Sequence, residues 1–253
     1  MHHSERQRRI LSTARDAGYT DVTQLVADLA VAPETIRRDL RVLERRGLLK
    51  RIHGGAYPVE TACFETNLET RTTRHLGEKR RVAMAAIERL GGAETIFIDE
   101  GFTPQLIAQA LPRDQSLTVV TASLGTAAVL TRNPGVNVMM LGGRVRGRTL
   151  ATVDFWGTEM LSGLSIDLAF VGANGISLEH GLTTPDPAVA EVKAQVIQAS
   201  RRRVFIGVHE KFGVCSFCRF ADVPDLEAIV TDSALSEAEA QRYRRVGPQV
   251  YRA

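Results

Sequence analysis

Apolar positions in the first fifty residues recur at helical spacing. Ile10, Leu11 and Ala14 follow Ser4, and Gln7 stands three residues after that serine, which predicts a helix opened by a Ser4–Gln7 capping box and ended at Gly18. Asp21 and Gln24 repeat the start signal, and Val22, Leu25, Val26 and Leu29 predict a second helix of about two turns. Pro33 stands at the first position of a third helix, where a residue without an amide hydrogen loses nothing. Within Pro33–Arg46, Ile36, Leu40 and Leu43 form one buried stripe and leave Thr35, Arg37, Arg38, Arg41 and Arg45 on the outer surface. Gly47 stops this helix, and Leu48–Ala56 reads as two short strands carrying Lys50, Arg51 and His53.

Farther along, the pattern changes. Helices at about Lys79–Leu90, Pro104–Leu111, Leu124–Thr131, Ala188–Arg201 and Ser236–Tyr243 alternate with apolar strands. The strands fall at Thr95–Asp99, Leu117–Thr121, Val136–Leu141, Asp167–Gly172, Val204–Val208 and Leu226–Thr231. Near-continuous apolar strands between helices predict a doubly wound, mostly parallel α/β domain with both sheet faces covered. Residues 58–76 are polar and without a period, so the expected organisation is 1–57, a linker over 58–76, and 77–253.

Composition narrows the class. With 44% hydrophobic and 24% charged residues among 253, the chain can bury a core and is not disordered. Its longest apolar runs are strand-length, Met1–Arg9 is polar, and three cysteines are too few for a disulfide framework. A cytoplasmic protein with no membrane partner is expected. Residues 1–57 hold 11 Lys and Arg against 7 Asp and Glu, a net of +4, while residues 58–253 hold 21 against 22, a net of −1. A small basic domain on a near-neutral larger one points to a nucleic-acid module joined to a domain that senses or catalyses.

A short helix, a tight turn and a longer helix with a cationic outer face is the helix-turn-helix arrangement, whose second helix enters the major groove of double-stranded DNA. The two strands that follow form a wing, where Lys50, Arg51 and His53 would neutralise phosphates.

The run Thr35-Ile36-Arg37-Arg38-Asp39-Leu40, with Leu43, Gly47, Arg51 and His53-Gly54-Gly55-Ala56, closely resembles the signature of DeoR-family bacterial transcription regulators. The resemblance implies a winged helix-turn-helix in which Thr35, Arg37 and Arg38 contact operator DNA and Asp39 partners arginines. Ala32 stands where the family usually has a serine, so the third helix lacks the expected side-chain cap.

In a parallel sheet, ligands bind beyond the carboxyl ends of the strands. Those loops hold Asp99, Glu100, Gly101, Phe102 and Thr103; Thr121 and Ser123; Gly142 and Gly143; and Asn174 and Gly175. Small residues, hydroxyls and helix N-termini there form an anion or phosphate seat, with Lys193 and Lys211 as its cations. The same loops, with Asp167-x-Ala169-Phe170-x-Gly172, Gly181-x-Thr183 and Lys211-Phe212-Gly213, are similar to the DeoR-family C-terminal domain. That domain is related in fold to ribose-5-phosphate isomerase and CoA transferases, and the resemblance implies a small phosphorylated sugar as effector. Glu100, Phe102, Pro104, Ala122 and Val208 depart from the usual pattern and predict a different effector from the common ones.

Taken together, these features predict a repressor of carbohydrate genes that acts as a homo-oligomer, with no cofactor, metal or catalytic residue. Two other readings remain open at this point. One is a sugar-phosphate isomerase with Glu191 as base and Lys193 as oxyanion stabiliser. The other is a thiol or metal sensor using His209, Cys215 and Cys218, with Cys63 distant in sequence. Trp156 reads as a packing residue, and Arg201, Arg202 and Arg203 as charges suited to a helix C-terminus.

Overall fold

A computed structural model describes residues 3–17, 19–45, 48–52, 54–58, 72–147 and 149–253. His2, Gly18, Arg46, Gly47, His53, Cys63, linker residues 59–71 and the side chain of Lys50 lie outside the described residues. The chain divides into two compact units, Met1–Thr66 and Asn67–Ala253.

The first unit runs α1 (His3–Ala17), β1 (Thr20–Asp21), α2 (Val22–Leu29), α3 (Pro33–Arg45), β2 (Leu49–Ile52) and β3 (Gly55–Pro58). Asp21 caps α2 by accepting the backbone N–H groups of Thr23 at 2.7 Å and Gln24 at 3.3 Å. With Ala32 in place of a capping side chain, α3 is opened by its backbone: Ala32 O accepts from the amides of Thr35 and Ile36. Ile36, Leu40 and Leu43 of α3 meet Ile10, Ala14 and Leu25 in one core, as the apolar stripe requires.

The side chain of Ser4, where a capping box is expected, lies outside the described residues; α1 starts at His3, and the Gln7 side-chain amide donates to Asp39 at 3.0 Å, with Arg6 Nε on the same carboxylate at 2.5 Å. Asp39 is fully buried and pins α1 to α3, so its arginine partner comes from another helix. The wing closes a three-stranded antiparallel sheet of order β1-β3-β2. A side chain at Gly55 would begin 2.3 Å from Thr20 O, so only glycine lets β3 pass β1 there.

The second unit begins α4 (Leu76–Ile87), β4 (Thr95–Ile98), α5 (Phe102–Ala110), β5 (Leu117–Thr121), α6 (Leu124–Leu130) and β6 (Val136–Met140). It continues β7 (Arg144–Arg146), β8 (Ala151–Val153), α7 (Phe155–Ser162), β9 (Ile166–Val171), β10 (Gly175–Ser177), β11 (Gly181–Thr184), α8 (Pro187–Ala199) and β12 (Ser200–Ile206). It ends with a 3-10 turn His209–Lys211, then β13 (Cys218–Ala221), β14 (Ala228–Thr231), α9 (Glu237–Arg244) and β15 (Gln249–Arg252).

Seven parallel strands form the main sheet in the order β15-β14-β12-β9-β4-β5-β6. In β4, Ile96 and Ile98 enter one core with Val82, Ile107 and Phe170, while Phe97 enters the other with Ala169, Val196 and Phe205. Both faces are covered, which is why these strands read as continuous apolar runs.

Three expectations are corrected. α4 begins three residues earlier than the periodicity indicates and stops at Ile87, because residues 88–90 form tight turns in which Arg89 N–H donates to Ala86 O and Leu90 N–H to Ile87 O. Arg201, Arg202 and Arg203 lie in β12 instead of at a helix end, since the chain becomes extended at Ser200 and pairs with β9. Arg202 donates to Glu227 at 2.9 and 3.0 Å and to the carbonyls of Arg89 and Leu90. Trp156 is 67% exposed and is therefore not a core packing residue.

Candidate functional site

In the first unit, α3 and the wing present their cations around a concave surface lined by Arg37, Arg41, Arg51, Glu34 and Thr23. Arg37 and Arg38 are exposed on α3, and Thr35 is half-buried beside them. Glu34 holds two of the arginines: Arg37 Nη1 lies 3.5 Å from it, and Arg41 is hydrogen-bonded to it. Arg51 is positioned from both ends by Glu44, which accepts its backbone N–H at 3.0 Å and pairs with its guanidinium at 3.7 Å. The buried Asp39 leaves this surface to the arginines, since its charge is spent inward on Arg6.

In the second unit, the strand order reverses between β4 and β9, the place where an open α/β sheet leaves a crevice. A cleft opens there, lined by Glu100–Pro104 after β4, Gly172–Asn174 after β9, Gly207 and Val208 after β12, and Lys79, Lys193 and Lys211. Gly101 precedes α5 with φ at +113°, a conformation that suits only glycine and turns the chain so that the α5 N-terminus faces the cleft.

Lys193 projects from α8 and is almost fully buried. Its ammonium contacts the Asp99 carboxylate, donates to Gly172 O at 3.0 Å, and lies 3.8 Å from Glu100 Oε1. Asp99 also accepts the N–H of Glu100 at 2.8 Å and of Gly172 at 2.7 Å, so one carboxylate ties together the two loops that form the cleft. Burial holds the Asp99 carboxyl above its ordinary value, against the lowering effect of the Lys193 ammonium. Asn174 is held at the cleft wall by the hydroxyl of buried Thr184, 3.2 Å from its Oδ1.

Lys79 donates to Arg74 O at 2.6 Å and lies 5.9 Å from the centre of the Phe102 ring. Lys211 closes the cleft from the 3-10 turn, which is anchored by its neighbours. His209 Nδ1 lies 2.8 Å from Asp232, and Glu210 pairs with Arg74 at 2.8 Å and with His75 at 3.0 Å. The hydrogen bond to Asp232 raises the His209 imidazole above its ordinary value against the opposing effect of burial. Burial acts to raise Asp232, and the side-chain and backbone hydrogen bonds from His209 outweigh it and hold that carboxyl low.

Of the residues singled out from sequence, the structure brings Glu100, Gly101, Phe102, Thr103, Asn174, Lys193 and Lys211 together at the cleft, with Asp99 directly beneath. The others lie elsewhere. Thr121 Oγ1 accepts from Ser123 N–H, Ser123 caps α6 through Thr126, and the β7–β8 hairpin covers both, so these buried hydroxyls are occupied by the backbone. Gly142 abuts Trp156 and Met160, Gly143 passes close to Val153 O, and Gly175 lets Val214 O approach, so all three serve local packing. Asp167 is taken up by the Thr95 and Glu94 amides and the Thr95 hydroxyl.

Lys79 was missed from sequence. Nothing in its surroundings marks it, because only the packing of α4 against α5 brings it to Phe102. Glu191, the base that the isomerase reading requires, is exposed on α8 and does not line the cleft. Among the described residues, no three His, Cys, Asp or Glu side chains are grouped to hold a metal ion, and Cys215 and Cys218 are free thiols. No helix among them is long and apolar enough to cross a membrane.

Comparison with known proteins agrees with this division. The family described as the DeoR C-terminal sensor domain matches residues 74–233, and the one described as the DeoR-like helix-turn-helix domain matches residues 6–62. The chain is 33% identical over 247 residues to the HTH-type transcriptional regulator GlpR of Haloferax volcanii, covering 98% of this chain and 96% of that one. It is 29% identical over 233 residues to the glycerol-3-phosphate regulon repressor of Escherichia coli, covering 92% of each. Ribose 5-phosphate isomerase A from Neisseria gonorrhoeae aligns over 53% of this chain and 52% of its own at 20% identity, with a TM-score of 0.39. With both units matched in order and a relative so similar along nearly its whole length, the chain belongs to the DeoR family of helix-turn-helix transcriptional regulators.

Proposed function

We propose that the chain is a homo-oligomeric repressor of carbohydrate-metabolism genes whose hold on double-stranded operator DNA is altered by a small phosphorylated sugar bound in the second unit. Residues 1–57 carry the DNA contacts, 58–76 connect, and 77–253 bind effector and assemble. Thr35, Arg37 and Arg38 face the bases of the operator, while Arg41, Lys50, Arg51 and His53 take its phosphates.

The observation that carries the effector assignment is the convergence of Lys79, Lys193 and Lys211 with the start of α5 on one cleft at the switch point of the sheet. Lys193 is already engaged by Asp99 and Glu100, so it is the ammonium groups of Lys79 and Lys211, with the amides at the start of α5, that favour an anion. Glu100 and Asn174 in the same wall suit hydroxyl groups, so the ligand is a phosphate ester of a polyol or sugar. The Lys193 ammonium, 3.8 Å from Glu100 while paired with Asp99, offsets part of the Glu100 charge and lessens its repulsion of such a ligand. The regulators named for glycerol 3-phosphate among its relatives support the same class.

Thermal-shift titration against three- to six-carbon sugar phosphates and their dephosphorylated counterparts tests this. A ligand at about 100 times its Kd should add about 2.7 kcal/mol of stability. The proposal predicts this shift for phosphorylated members alone. Equal shifts by the dephosphorylated sugars, or no shift by any sugar phosphate, would refute it.

A further inference from the structure

Glu34, the second residue of α3, is 68% exposed on the face that carries Arg37 and Arg41. Arg37 Nη1 lies 3.5 Å from its Oε2, and Arg41, two turns along, is hydrogen-bonded to its Oε1. Asp21 lines the same concave surface, but its carboxylate is taken by the backbone amides of Thr23 and Gln24 that open α2. Glu34 is held by arginine side chains instead, and DNA phosphates draw such side chains to themselves.

A carboxylate accepts hydrogen bonds and donates none, and a phosphate repels it. On a helix that enters the major groove, the early residues lie against base edges. The donors on those edges are the amino groups at cytosine N4 and adenine N6, whereas guanine N7 and O6 and thymine O4 are acceptors that repel a carboxylate. Adenine also sets its acceptor N7 beside its amino group, so the second carboxylate oxygen is repelled there. Cytosine carries no acceptor on its own major-groove edge.

We propose, on the reading that α3 enters the major groove of operator DNA, that Glu34 reads a cytosine by accepting its N4 amino group. In the free protein the two arginines neutralise the carboxylate. On the operator Arg41 turns to a phosphate and Arg37 to a base, which leaves Glu34 facing the groove. A site without the cytosine then buries a charge that has no donor, so Glu34 acts against wrong sequences as well as for the right one.

Selection from a pool of random-sequence duplexes, with the full chain and no effector, tests this. Wild type should select a site with a required cytosine. Glu34→Ala should keep the rest of that site and lose the preference for the cytosine, while Arg37→Ala should retain it. Glu34→Gln should change the preference to adenine, because an amide pairs with N6 and N7 together. In anisotropy titrations, replacing the C·G pair by T·A should weaken wild type about 5-fold or more and leave Glu34→Ala within about 2-fold. A carboxylate that served only the dipole of α3 would change stability and leave base preference as it was. Glu34→Gln also provides a second variant should Glu34→Ala fail to fold by circular dichroism. Folded variants that select the wild-type site unchanged would overturn the proposal. So would a Glu34→Ala protein that loses a position other than a G·C pair, or loses only positions that Arg37→Ala also loses. Wild type that selects no sequence at all would overturn the reading of α3 itself, and this proposal with it.

Discussion

Lys193 and Asp99, 94 residues apart in the chain, meet as a buried ion pair directly beneath the cleft, where each would be costly alone. Removing the cation leaves the carboxylates of Asp99 and Glu100 together in a poorly hydrated site. Lys193→Met should therefore cost about 3–5 kcal/mol of unfolding free energy, in the range for a buried pair broken on one side. The Lys193→Met, Asp99→Asn double variant should lose less than the two single variants added together, because neither partner is left uncompensated. Urea unfolding of the four proteins measures this, and strictly additive losses would show that the pair is not coupled.

The arginines of α3 and the wing should separate into two roles. Arg37→Ala removes an exposed side chain paired only loosely to Glu34, so unfolding should change by no more than about 0.5 kcal/mol. Operator affinity should fall by about 1–3 kcal/mol if Arg37 reads a base. Arg51→Ala should weaken operator and random DNA alike and reduce the salt dependence by about one unit. Anisotropy titrations at several salt concentrations distinguish the two, and unchanged operator binding by an Arg37→Ala, Arg38→Ala double variant would contradict the assignment of α3.

The turn that carries Lys211 should be sensitive to pH through His209. Because its folded value is raised, the stabilisation it supplies is complete below about 6.5, the unfolded value, and is lost as pH rises through the folded value. Asp232 has the opposite sign: its folded value is lowered, so its contribution is present above the ordinary carboxylate value and is lost in acid. The difference in Tm between wild type and His209→Gln should be largest near about pH 6 and shrink toward pH 9. A constant difference across that range would rule out the charged His209–Asp232 pair.

Much of this was legible in sequence because it rests on local signals. The Asp21 cap, Pro33 at the first position of α3 and the Ile36-Leu40-Leu43 stripe are set by neighbouring residues. The apolar runs of β4, β5 and β9 required a sheet covered on both faces, and such a sheet brings its strand ends to one edge. Which strand ends meet depends on strand order, which periodicity does not encode. Thr121 and Ser123 have the composition of an anion seat but sit under the β7–β8 hairpin, whose three-residue strands are too short to show a period. Lys79 and the outward face of α7 escaped for a related reason, since helix packing decides which side of a helix faces the cleft, the core or water.

The central claim is that one cleft senses a phosphorylated sugar and passes that state to the DNA-binding unit. Its most direct test is operator affinity with and without a sugar phosphate identified by thermal shift, for wild type and for Lys211→Ala. Allosteric response is a difference in ligand affinity between two states of the protein, so loss of a ligand contact removes the response and spares the DNA surface. Wild type should change its operator Kd by about 5-fold to 150-fold on effector addition. Lys211→Ala should bind operator within about 2-fold of wild type, inside the roughly 0.5 kcal/mol expected of a surface change, and should lose the effector response. A Lys211→Ala protein whose operator Kd still shifts like wild type, or a wild type that no sugar phosphate shifts, would contradict the account.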